Sequence, residues 1–172
     1  MRACGIDPGS TPHVCVFNPD ASERCGLRWQ FFDVPSMLFG VSSERVDAFA
    51  LSTFLQRTSP DKVFVENVGP RPMARGRAQG VASTSKFLRA AGYCEAVPMA
   101  LGFPVVPVAP QTWKRYFEIP SYGDDTKAAK EHSRRLMLQL EPSLCSMLKR
   151  KLDHGRAEAA LIAMYGAHCI AA

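Results

Sequence analysis

Two acidic residues stand where short apolar runs end, a position suited to metal binding or acid–base chemistry. Asp7 follows the run Cys4–Ile6 and precedes the turn residues Pro8–Gly9, whereas Glu66 follows the run Lys62–Val65. Short apolar runs bounded by turn residues are typical of strands, so each acid is predicted to lie at a strand end. Asp-Pro-Gly is also a common turn sequence, so Asp7 considered alone is more simply explained as a turn residue.

A third acidic cluster lies at the start of the last predicted helix, in the stretch Asp153–Glu158. Glu158 stands among alanine and aliphatic residues, where a buried carboxylate without a partner would be costly. If His154 is already helical, it lies four residues before Glu158 and therefore on the same helix face. Asp153 reaches the same point from the cap position, although an N-cap role alone would also explain it.

Carboxylates from three separate segments are typical of a site for a hard divalent cation, because Mg²⁺ and Mn²⁺ prefer oxygen ligands. Two-metal phosphodiester hydrolysis needs several carboxylates at one point, since two ions about 3.5–4 Å apart activate a water and stabilise the leaving oxygen. Zinc is disfavoured because Cys and His do not recur at zinc spacing. The acids therefore indicate a Mg²⁺-dependent site for phosphate chemistry.

Composition limits the class of protein. A chain of 172 residues with 47% hydrophobic residues predicts one domain spanning residues 1–172 that folds alone. The 21 Lys and Arg exceed the 16 Asp and Glu, and this net charge of +5 favours polyanionic partners. Six scattered cysteines indicate reduced core thiols. The sequence shows neither a secretory leader nor a bilayer-spanning run, so we expect a cytoplasmic protein without membrane association.

A basic segment follows the second strand-end acid. Between Asn67 and Cys94 there is no acidic residue, and a phosphate-facing surface and a plain solvated face explain this run equally well. Its basic residues are Arg71, Arg75, Arg77, Lys86 and Arg89.

The elements that must position these residues begin with three strands, at about Cys4–Asp7, His13–Phe17 and Leu27–Asp33, which predict an antiparallel meander. Lys62–Glu66 has the nearly all-apolar pattern of a strand covered on both faces. A loop is predicted over 67–80 and an edge strand over Phe103–Val108. Helices are predicted at Ser43–Arg57, at Val81–Ala91 with Gly92 as the stop, at Thr112–Phe117, at Thr126–Leu140 and at Ala157–Ala171.

Several of these motifs together resemble a RuvC-type Holliday junction resolvase of the phage-like branch. They are Gly5–Ser10, Glu66–Val68, the Pro110–Lys114 segment, and Asp153–Ala163 with its Arg-Ala-Glu-Ala core. The resemblance implies an α/β ribonuclease-H-like fold, in which a mixed sheet combines the antiparallel meander with parallel strands and is flanked by helices. It also implies a homodimer in the cytoplasm of a bacterium or a phage-infected host, cutting four-way DNA junctions with Mg²⁺, for which Mn²⁺ substitutes.

The resemblance also implies roles for individual residues. Asp7 and Glu66 match the first two catalytic acids, which are also metal ligands. Better-known members carry the third ligand three residues before the last acid, where this chain has Gly155. Asp153 or His154 must then supply it, and we expect Asp153 together with Glu158.

Lys114 and Lys127 match basic residues near the scissile strand, although surface lysines explain them equally well. The family's aromatic wedge has no counterpart directly after Glu66, so Pro72 or Met73 is the candidate wedge at the junction centre. The five basic residues of the 67–94 segment are the candidate DNA contacts.

Three other interpretations remain open at this point. One is a ribonuclease-H-like nuclease that acts on structured RNA or on other branched DNA, since the phosphate chemistry would be the same. A second is an actin-like ATPase domain, which the short chain disfavours. A third is a non-catalytic junction-binding module, against which the retained acids argue.

Overall fold

Seven strands and five α-helices are present in the residues that the computed structural model describes, which are 1–9, 11–21, 28–41, 43–69, 80–123 and 125–169. The strands are β1 (Ala3–Asp7), β2 (His13–Phe17), β3 (Trp29–Asp33), β4 (Ser36–Phe39), β5 (Ser43–Val46), β6 (Lys62–Glu66) and β7 (Val105–Val108). The helices are α1 (Ala48–Thr58), α2 (Val81–Ala100), α3 (Pro110–Tyr116), α4 (Thr126–Leu140) and α5 (His154–Cys169), with 3-10 turns at Pro142–Ser146 and Lys151–Asp153.

The five-stranded main sheet has the order β3-β2-β1-β6-β7. The pairs β1–β2 and β2–β3 are antiparallel, whereas β1–β6 and β6–β7 are parallel. This confirms the predicted meander and the mixed sheet. Because β1 and β6 run side by side in the same direction, Asp7 and Glu66 end at the same edge of the sheet.

Helix α5 covers one face of the sheet, and α1 and α2 cover the other. Phe64 and Cys15 pack with the alanine-rich α5, while Ile6 and Val14 face the opposite core. The approach of α5 to β1 requires glycine, since a Cβ on Gly5 would lie 2.2 Å from the Ala159 carbonyl oxygen. This close packing brings the first turn of α5 next to the end of β1.

The predicted helix at Ser43–Arg57 begins later than expected. Residues Ser43–Val46 form β5, which pairs with β4 in a separate two-stranded hairpin. The helix starts at Ala48 because Asp47 caps it, with the Asp47 carboxylate accepting a hydrogen bond of 2.9 Å from the Ala50 amide. Residues Ser43–Val46, which periodicity alone predicts as the first turn of the helix, therefore form a hairpin strand instead.

The prediction that Gly92 ends the following helix is wrong, since α2 continues to Ala100 and passes through Pro98. Beyond Gly92 the helix still buries Cys94 against the sheet. This packing outweighs the roughly 1 kcal/mol that a glycine costs inside a helix.

Three further expectations can be compared with the structure. β7 is an edge strand, as its prolines predicted. Of the cysteines that the structure describes, Cys4, Cys15 and Cys94 are buried thiols, whereas Cys145 and Cys169 are exposed. Among the described residues, no helix combines the length and the apolar character needed to cross a membrane.

Candidate active site

A groove at the carboxyl ends of β1 and β6 brings together acids from three elements. Asp7 ends β1, Glu66 ends β6, and Glu158 lies just beyond the first turn of α5; all three line the groove. They share the α5 face of the sheet, because Asp7 follows Gly5 and Glu66 follows Phe64 in the alternation of each strand. The structure therefore joins the three acids that the sequence placed at separate element ends.

The pKa of Asp7 reflects both its burial and the charges around it. Removal from bulk solvent raises the pKa of Asp7 well above its ordinary value, and the charges of Glu158 and Glu66 raise it further. Lys130 and Lys114 lower this pKa, but they do not offset the other effects. Like charges gathered without full compensation favour either a bound proton or a cation.

Glu66 and Glu158 are each held by a donor from a neighbouring helix. Trp113 of α3 donates its indole N–H to Glu66 Oε1 over 3.0 Å, and both side chains are buried. Ser133 of α4 lies 3.3 Å from Glu158 Oε1. Such bonds fix the orientation of a carboxylate before any ligand arrives.

Asp153 is placed differently from our expectation. Its carboxylate accepts hydrogen bonds from the Arg150 amide (2.7 Å), Nε (3.1 Å) and Nη2 (2.8 Å), and Arg156 Nη1 lies at 3.7 Å. Burial acts to raise the pKa of Asp153, but the bonds from Arg150 prevail and hold it below the ordinary value. Among the described residues that line the groove, α5 contributes His154 and Glu158, and Asp153 is not one of them. This arrangement favours His154 over Asp153 as the fourth groove residue, because Arg150 already donates hydrogen bonds to the Asp153 carboxylate.

The lysines near the groove also differ in whether they line it. Lys114 lines the groove. From α4, the described lining residues are Thr126, Ala129 and Lys130, whereas Lys127 is exposed and is not among them. Sequence reasoning missed Lys130, although the spacing of 126, 129 and 130 on one helix face could have shown it.

A histidine next to the acids was also missed. His13 pairs with Asp7 across β1 and β2 and lines the groove. Its Nδ1 lies 2.9 Å from Asp33 Oδ1, and its ring packs so closely on α5 that a Cβ on Gly155 would meet it at 2.1 Å. A polar residue at the first position of a strand was the only signal in the sequence.

The predicted DNA contacts are only partly described. Arg71, Met73, Arg75 and Arg77, with the alternative wedge Pro72, lie outside the described residues. Lys86 and Arg89 are exposed on α2, where Lys86 Nζ lies 3.1 Å from Glu44 Oε2 on β5. The described α2 residues that line the groove are Thr84 and Phe87. Lys86 and Arg89 thus face the hairpin side rather than the groove.

The donor chemistry of the groove fits a hard divalent cation. Three carboxylates and an imidazole could supply oxygen and nitrogen ligands, and the pKa of Asp7 is raised first by its burial and then by the charges of Glu158 and Glu66. Burial, together with the charge of Lys130, lowers the pKa of His154, which favours the neutral ring that a metal requires. Within the described residues, however, no three Asp, Glu, His or Cys side chains already form a group that could hold an ion.

Comparison with known proteins gives a likeness at the level of structure. No family model and no curated protein matches the chain. A structure of Thermus thermophilus RuvC is 17% identical, with a TM-score of 0.53 over 97% of this chain and 96% of that chain. A second, T. thermophilus RuvC in complex with a Holliday junction substrate, is 18% identical, with a TM-score of 0.56 over 97% of this chain and 93% of that chain. The chain therefore has the ribonuclease-H-like fold of RuvC, as its motifs predicted.

Proposed function

We propose that this protein is a metal-dependent endonuclease that resolves four-way DNA junctions, a crossover junction endodeoxyribonuclease. The observation that carries the proposal is the meeting of Asp7, Glu66 and Glu158 in one groove, where their repulsion helps to raise the pKa of Asp7. Acids kept in such a costly arrangement are typical of functional sites.

Asp7, Glu66 and Glu158 are the proposed ligands of Mg²⁺ or Mn²⁺, with His154 rather than Asp153 in the fourth position. When bound, the metal supplies an activated water and stabilises the leaving oxygen. Trp113 and Ser133 orient two of the carboxylates through the hydrogen bonds described above. Lys114 and Lys130 line the same groove and attract the phosphate of the scissile strand.

Several features support branched DNA as the substrate. The chain carries a net charge of +5, and a structural neighbour is bound to a Holliday junction. We place phosphate contacts at Arg71, Arg75 and Arg77 and a wedge at Met73, because this basic segment directly follows Glu66 in the sequence. A homodimer would present two such grooves to the two strands that must be cut.

Cleavage of a substrate panel tests the proposal. With Mg²⁺, the protein should cut a mobile four-way junction at least about tenfold faster than a flap, a linear duplex or a structured RNA, a preference worth about 1.4 kcal/mol. Glu66→Gln is the matched control: it should bind the junction with unchanged affinity and leave it uncut, because it loses charge at the metal but not shape recognition.

Three results would contradict the proposal. Faster cleavage of structured RNA would assign the groove to an RNA nuclease. Junction binding without cleavage in Mg²⁺ or Mn²⁺ would indicate a non-catalytic binding module. Hydrolysis of ATP without nuclease activity would point to the ATPase interpretation.

A further inference from the structure

Trp113 connects the groove to the core of the protein. It lies in α3, which begins at Pro110 directly after the edge strand β7. Its side chain is fully buried and packs in the same apolar cluster as Phe64 and Val108 from the two adjacent strands. The position of its ring is therefore fixed by the sheet.

The single polar atom of this ring points to a groove acid. Trp113 Nε1 lies 3.0 Å from Glu66 Oε1, and Glu66 is 8% exposed. An indole N–H donates but cannot accept, and a buried one needs an acceptor. If the Glu66 carboxylate rotated away, the Trp113 indole N–H would lose its acceptor. The hydrogen bond therefore opposes any movement of Glu66 Oε1.

The ring also contacts a groove lysine. Lys114 Nζ lies 5.1 Å from the centroid of the Trp113 ring, within cation–π distance. The charge of Lys114 acts in turn on Asp7. The buried Trp113 side chain thus contacts Glu66 through its N–H and Lys114 through the face of its ring.

We infer that Trp113 is a positioning residue that holds Glu66 in the orientation needed to ligate the metal. The inference rests on the proposed function, since it assumes that Glu66 is a ligand. It assigns a role to the Trp-Lys pair of the Pro110–Lys114 motif that packing alone does not require, because a phenylalanine would fill most of the same space.

Trp113→Phe tests this inference, because it removes the N–H but keeps an aromatic ring for the core and for Lys114. We expect the dissociation constant for Mn²⁺, measured by calorimetry without DNA, to rise about 10–100-fold. On a four-way junction, kcat should fall by a similar factor while KM stays within about twofold, since shape recognition is not altered.

Leu148→Val is the matched control, since Leu148 is equally buried in the same cluster. It should lower the melting temperature without changing Mn²⁺ affinity or kcat beyond about twofold. If Trp113→Phe does not fold, benzothienylalanine incorporated at position 113, in which sulfur replaces the indole N–H, keeps the shape and gives the same test.

A double-mutant cycle separates positioning from general destabilisation. In a Glu66→Gln background, the change at position 113 should have no further effect on Mn²⁺ affinity. Equal effects in both backgrounds, or wild-type Mn²⁺ affinity in a folded Trp113→Phe protein, would overturn the inference while leaving the nuclease proposal intact. Coupling in Mn²⁺ binding without junction cleavage would support the positioning role and refute the proposed substrate.

Discussion

Two acidic clusters lie on either side of the start of α5, and they differ in how their charges are balanced. The groove cluster consists of Asp7, Glu66 and Glu158, and the anchor cluster consists of Asp33 and Asp153 with Arg150 and Arg156. In the groove cluster, burial raises the pKa of Asp7, and the neighbouring acids Glu158 and Glu66 raise it further. In the anchor cluster the hydrogen bond from Arg156 lowers the pKa of Asp33, and bonds from Arg150 lower that of Asp153.

The anchor cluster explains how α5 is fixed. Arg156 Nε lies 2.9 Å from Asp33 Oδ1 and 3.1 Å from Oδ2, a fork that ties the first turn of the helix to the edge strand β3. Asp153 holds the preceding turn through Arg150. The comparison shows that acids paired with arginines secure the start of the helix, whereas the three acids of the groove cluster line the groove next to them.

The largest expected difference between the clusters is in turnover. Asp7→Asn should reduce kcat on a four-way junction by at least about a thousandfold, because it removes a proposed metal ligand. His154→Ala should cost about 10–100-fold, whereas Asp153→Asn should stay within about tenfold of wild type. Single-turnover cleavage with saturating Mg²⁺ measures all three.

The ranking of the last two variants decides the fourth ligand. If Asp153→Asn were as inactive as Asp7→Asn and His154→Ala were nearly normal, Asp153 would be a ligand after all, and the division into two clusters would fail.

For stability, the order of the two variants should be reversed: Asp153→Asn should lose more than Asp7→Asn. Asp153→Asn should lower the free energy of unfolding by about 1.5–3 kcal/mol, since a buried carboxylate loses charge-assisted hydrogen bonds. In metal-free protein, Asp7→Asn should cause no loss, because it removes repulsion. Urea unfolding with a chelator present measures both effects.

The pH dependence of the same measurement sharpens this test. The pKa of Asp153 lies below its ordinary value of 3.8, so its stabilising effect is complete above that pH and is lost as pH falls through the folded-state pKa. The pKa of Asp7 is raised, so its contribution to stability increases as pH falls from the raised value toward 3.8, and Asp7→Asn should remove that rise. A decrease in stability for Asp7→Asn at neutral pH would contradict the comparison.

The smallest expected effect separates two lysines of α4. Lys130→Ala should reduce kcat about tenfold, the loss expected when one charged contact to phosphate is removed. Lys127→Ala is its control on the same helix and should stay within about twofold, because Lys127 is exposed outside the groove lining. Equal losses would mean that both lysines reach the DNA and that the geometry of the groove does not distinguish them.

Much of the fold was predictable because it is encoded locally. Strand alternation and turn residues placed β1, β2, β3 and β6, and the ends of β1 and β6 placed Asp7 and Glu66. The β4–β5 hairpin and the passage of α2 through Gly92 were not predictable in this way. The hairpin depends on the pairing of β5 with β4, and the continuation of α2 depends on the burial of Cys94 against residues far away in the sequence. In both places these contacts outweigh local propensity.

The sequence by itself determined which residue types are present at each element end and therefore that carboxylates would collect at one edge of the sheet. Only the tertiary structure decided between neighbours such as Asp153 and His154, or Lys127 and Lys130. On an α-helix, adjacent residues point about 100° apart and residues three apart, such as Lys127 and Lys130, about 60°, so each choice depends on the rotation of the helix about its axis. For α5 that rotation is set by contacts over long sequence distances, namely Arg156 with Asp33 and the close approach of Ala159 to Gly5.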